Sequence, residues 1–102
     1  MATANEAIQD ALAFNPIGSH YDGTTISSAT TLTPPEGAEK LLIQALSQNV
    51  RFTLDGTAPT SSKGFQLVAG DPPTLIVLGD NTTLKVIEEA ATADVQYQWG
   101  GS

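Results

Sequence analysis

The chain has 102 residues, 11 acidic side chains against 4 basic ones, a formal charge of −7 and no cysteine. That length suits one small core, and the lack of cysteine excludes disulfides, thiol catalysis and cysteine-bound zinc. The charge repels phosphate backbones, no apolar run reaches the ~18 residues of a membrane helix, and no basic-then-apolar signal opens the chain, so nucleic acid, a membrane and signal-led secretion are not expected.

Ala7, Ile8, Ala11, Leu12 and Phe14 recur at near-helical spacing behind Asn5 as N-cap, and Asn15-Pro16 ends the pattern. A helix of two turns is marginal alone in water, so it should need a surface. Residues 18–28 are rich in Gly, Ser and Thr around His20 and Tyr21, and read as an extended arm. All four bases follow Pro34-Pro35. The composition therefore divides the chain into an N-terminal arm, 1–35, and a β domain, 36–102, whose first strand begins near residue 29.

From residue 29 the apolar period becomes two, and turn residues interrupt it every ~8–12 positions, as in a small sandwich or barrel. Seven strands are expected, at 29–33, 40–46, 50–54, 65–69, 74–78, 84–88 and 94–99. Val50, Phe52 and Leu54 alternate with Arg51 and Thr53, while Val95, Tyr97 and Trp99 alternate with Asp94, Gln96 and Gln98. Phe52, Leu54, Phe65, Leu67, Val86, Val95 and Tyr97 are the predicted core. Gln48-Asn49 should close a tight hairpin, Asp55-Gly56 should enter positive φ, and Gly79-Asp80-Asn81 should form a further turn. The fold class is thus all-β: a small antiparallel β-sandwich, immunoglobulin-like or jelly-roll-like, with an N-terminal extended arm. So thin a core gains from covering one flank with a neighbour, which makes an oligomer or lattice contact expected.

Catalysis has few parts to work with. His20 is the one histidine and lies in the arm, so neither a Ser/His/acid triad nor a multi-histidine metal site can be assembled in the usual way. Glu88 and Glu89 are adjacent on a strand and point to opposite faces, so they cannot flank one glycosidic bond. Asp55, Asp71 and Asp80 sit in turns without the spacing of a calcium loop. An enzyme is not expected, and no cofactor or metal is called for. Tyr21, Tyr97 and Trp99 could form an aromatic platform for sugar, but Tyr97 and Trp99 share a face with Val95 and fit a core or a subunit interface better. Arg51 should point outward and pair with an acid across the sheet.

The segment from Val50 to Ser61, VRFTLDGTAPTS, resembles the "YTLDGT-x-PT-S" element of immunoglobulin-like sandwich domains appended to chitobiase-type glycosidases and many surface proteins. The longer block from Lys40 to Trp99 carries LLIQA, the Arg51-to-Ser61 element, GFQL, AGDPP, LKVI and a closing YQWG. It resembles a family of small structural proteins of tailed bacteriophages. That resemblance implies a virion component on the outer capsid surface, a capsid decoration (cement) or head-fibre protein whose partner is the major capsid protein. It also implies a homo-oligomer, a trimer at positions of local threefold symmetry. Starting at Met1 and ending in Gly100-Gly101-Ser102, the chain is expected to be a standalone part. Two alternatives remain: a carbohydrate-binding or accessory sandwich module, and a tail or baseplate subunit. The arm offers Ile8, Leu12, Phe14, Ile17 and Tyr21 as capsid-binding residues, because it has too little structure to bury them itself. On this reading, removing residues 2–28 abolishes capsid binding and barely moves the melting temperature. The alternative is an arm folded back over a sheet edge.

Overall fold

The computed structural model describes residues 14–22 and 26–101, which form eight strands and no helix. They are β1 (Asn15–Asp22), β2 (Thr30–Leu32), β3 (Lys40–Leu46), β4 (Val50–Thr53), β5 (Phe65–Leu67), β6 (Thr74–Val77), β7 (Leu84–Glu88) and β8 (Asp94–Gly101). The last seven fall where the period-two pattern puts them. The expected helix lies almost wholly outside the described residues; its last residue, Phe14, is not helical.

Two antiparallel four-stranded sheets result, one in the order β1-β8-β3-β6 and the other β2-β7-β4-β5. Strand β1 pairs with β8, β2 with β7, β3 with β6 and β4 with β5, as if one long ribbon folded at the β4–β5 loop had been rolled up. The β3–β8 and β4–β7 ladders then close each sheet. This is the order of a jelly roll and not of an immunoglobulin sandwich, which decides between the two expected forms.

The links at 47–49 and 78–83 each carry the chain from one sheet to the other, so Gln48-Asn49 does not close a hairpin. Ser47 takes positive φ (68°) there. Asn49 instead ties neighbouring segments together: its side-chain oxygen accepts the Ala69 N–H at 2.8 Å and its carbonyl accepts that of Glu89 at 2.9 Å. Gly79-Asp80-Asn81 does turn, with Thr82 N–H donating to the Gly79 carbonyl. Short links at 47–49 and 89–93 hold β3 over β4 and β8 over β7, leaving β5 and β6 along one flank and β1 and β2 along the other.

One apolar cluster fills the space between the sheets, with Leu41, Ile43, Ala45, Val95, Tyr97 and Trp99 from one side and Val50, Phe52, Leu67, Leu84 and Val86 from the other. Of the predicted core, Phe52, Leu67, Val86, Val95 and Tyr97 are buried, and Leu54 packs against the cluster half-buried. Phe65 is the exception, 64% exposed. It stands on a three-residue edge strand, so the pleat aims it inward where no further strand remains to cover it.

The segment read as an arm is β1. Ile17 lies opposite Trp99 and Tyr21 opposite Tyr97, while the register slips between them. Gly18 (φ 74°) makes that bulge, and the Gln98 side-chain amide donates to the Ile17 and Gly18 carbonyls that it leaves over. Further on, Ile26 is fully buried and its carbonyl accepts the Glu88 N–H. The two sheets therefore use residues 15–22 and 30–32 as well as those beyond 36, and a division into arm and sandwich at residue 35 does not follow their outline.

Candidate functional site

Of the five residues expected to grip a capsid, Ile8 and Leu12 lie outside the described residues. The other three belong to the chain's own fold. Phe14 lies over Gly100, where an added Cβ would come within 2.6 Å of its ring, and Ile17 reaches Gly101. Tyr21 stacks on Tyr97 at 4.9 Å between ring centres and 14° between planes. Phe14 and Ile17 are thus half-buried against the chain's own strands, while Tyr21, although stacked on Tyr97, remains 44% exposed. The aromatic platform fails because Tyr97 and Trp99 are core residues packed edge to face.

What the fold does present is a cleft of about 460 Å³ at the β4–β5 end, lined by Phe52, Thr53, Leu54, Asp55, Thr57, Lys63, Gly64 and Phe65. Its floor is the end of the core. Phe52 and Leu54 close it below, and the exposed Phe65 ring stands 5.6 Å from that of Phe52, tilted by 43°. The wall is the DGT turn. Asp55 Oδ1 accepts the Thr57 N–H at 3.0 Å, Gly56 N–H donates to the Thr83 carbonyl, and Thr83 N–H donates to that of Leu54. Gly56 has φ 86°, as the Asp-Gly pair predicts. Thr53, read from its alternation as outward-facing, is buried and donates its hydroxyl to the Thr57 carbonyl. The Thr57 N–H, with a further bond from its hydroxyl, holds the exposed Asp55 carboxyl below the ordinary carboxylate range, and the Lys63 charge adds to this.

The opposite wall is pinned from behind. Arg51 Nη1 donates to the Gly64 carbonyl at 3.0 Å. Arg51 Nε lies 3.3 Å from Glu89 Oε2, an ion pair whose N–H is not aligned as a hydrogen bond, and the same oxygen accepts the Gln66 amide at 2.6 Å. The expected cross-sheet partner of Arg51 is thus Glu89. Between these clamps Gly64 has φ 125°, and a Cβ there would lie 2.9 Å from the Phe52 carbonyl oxygen. Gly64→Ala is expected to cost about 2–4 kcal/mol, since positive φ and a backbone clash act together. Thermal melting should register this as a large fall in Tm, whereas Gly18→Ala, with φ 74° and no atom within 4 Å of the new Cβ, should cost only ~1 kcal/mol.

A second region of interest is β6. Thr74–Val77 is the uncharged edge of its sheet, paired on one side only with β3. Leu75 and Val77 are exposed on it, Val77 at 69%, and Val68 is exposed in the preceding link. His20, Gln44, Gln96 and Gln98, on the outer face of the same sheet, each make a side-chain hydrogen bond within the chain. Among the described residues no three His, Asp or Glu gather as metal ligands would. Comparison with protein-family models, with curated proteins and with solved structures finds no match for this chain.

Proposed function

We propose that this protein is a structural component of a tailed-bacteriophage virion, a capsid decoration (cement) protein that binds the major capsid protein on the outer surface of the head and stabilises it. The observation that carries the reading is β6. An uncharged edge strand with two exposed aliphatic side chains offers unpaired backbone groups and apolar surface together, a combination that another chain can cover by pairing along the edge. The resemblance of the 40–99 block to phage structural proteins supplies the identity of that other chain, and also the proposed trimer. Jelly rolls occur in virion proteins and lectins alike, so the fold is compatible with this function and does not select it.

On this reading the β6 edge is an attachment surface. Val77→Glu places a charge on an exposed edge position opposite Lys40, so it creates no like-charge pair, and surface changes of this kind cost at most ~0.5 kcal/mol of stability. It should weaken binding to undecorated heads at least tenfold in a co-sedimentation assay while Tm stays within a few degrees. Full occupancy of heads by this variant would remove β6 from the interface. Failure of the unsubstituted protein to sediment with heads, when it does so with tails, would replace the head by the tail. Sedimentation of the free protein tests the trimer; a monomer both in solution and on the shell contradicts it.

A further inference from the structure

We propose that the β4–β5 cleft is a binding site for a neutral saccharide, with one pyranose ring stacked on Phe65 and its hydroxyl groups bonded to Asp55 and Lys63. The proposal is independent of where the protein sits in a virion. Its first support is how Phe65 is held. Gly64 before it is fixed by the Arg51 guanidinium and by a φ closed to other residues, and Gln66 after it is fixed by Glu89. An aromatic ring 64% exposed on a backbone clamped at both neighbours is held ready for a ligand, which lowers the ordering cost of binding.

The second support is what surrounds the ring. Asp55 is ionised and fixed by its turn, so it accepts hydrogen bonds from a known position, and the exposed Lys63 ammonium donates from the same cleft. A flat apolar face, a fixed acceptor and a cationic donor within about 460 Å³ match a molecule with one C–H face and a rim of hydroxyl groups. Anionic ligands fit worse, because Asp55 and a chain charge of −7 oppose them. A purely apolar ligand would leave the carboxylate and ammonium unused. The TLDGT segment is explained as a turn by its own hydrogen bonds, but those bonds do not require Phe65 or Lys63 to face the cleft.

The test is an amide NMR titration of the full chain with methyl β-glucopyranoside, cellobiose and N-acetylglucosamine, each to about 50 mM, enough to saturate a site of millimolar Kd. Saturable shifts confined to Asp55, Thr57, Lys63, Gly64 and Phe65 are expected with at least one of the three. Phe65→Ala, at an exposed position that leaves the fold intact, should weaken that binding at least tenfold, and Phe65→Trp should retain or tighten it. Absence of saturable shifts with all three sugars overturns the proposal, as does unchanged binding by Phe65→Ala. Inorganic phosphate moving the same resonances as strongly would make this an anion site at Lys63 and overturn it equally.

Discussion

Deleting residues 2–28 is expected to unfold the protein. The deletion removes β1, whose ladder covers one long edge of β8, and with it Ile26, which is fully buried in the core. Losing a buried Ile side chain alone costs about 2–5 kcal/mol through the cavity it leaves. Uncovering Trp99 and Tyr97 where Ile17 and Tyr21 pack adds to that. A domain of this size has roughly 5–10 kcal/mol in all, and each ~1 kcal/mol lost lowers Tm by about 4–8 °C. The truncated chain should therefore show no cooperative melting above room temperature by circular dichroism. A truncation melting within a few degrees of the full chain would restore the reading of this segment as a detachable arm.

Val86→Asp should abolish folding as completely. Val86 is fully buried and sits at the crossing of two ladders, opposite Thr30 on one side and Phe52 on the other. Its neighbours across both ladders, Thr30 and Phe52, carry no charge, so the new carboxylate would have to be buried without an ionic partner there or bring water into the core. Either costs several kcal/mol, comparable to the whole stability. Lys85→Asp, one residue earlier and facing outward, changes charge without burial and serves as the control; it should stay folded at neutral pH. Native-like near-ultraviolet circular dichroism from Val86→Asp would contradict the placement of β7 at the centre of its sheet.

The strands were legible because alternation survives wherever one face of a strand is buried, which is the case from Lys40 to Gly101. Strand β1 was not. Asn15-Pro16-Ile17-Gly18-Ser19-His20 has no alternation, and it is a strand because β8 offers it hydrogen bonds and Gln98 absorbs its bulge. Ile26 gave no sign either, standing alone among Gly, Ser and Thr. Turn residues at 47–49 and 79–81 announced where the chain reverses but not which sheet it enters next. The choice between an immunoglobulin sandwich and a jelly roll lies in that second fact, since three of the four ribbon pairings join strands far apart in sequence. Phe65 was misplaced because period two reports the face of a strand and is silent on whether a neighbour covers it. The cleft around it could have been suspected from Lys63-Gly64-Phe65 following a DGT turn, although nothing in that spacing fixes the ring outside the core.

Electron cryomicroscopy of phage heads assembled with and without the protein tests its proposed role most directly. Difference density on the outer capsid surface, in threefold clusters of jelly-roll domains with the β6 edge against the major capsid protein, is the predicted result. Heads that look identical in the two preparations, with the protein found only in tails or only free in the lysate, would contradict it.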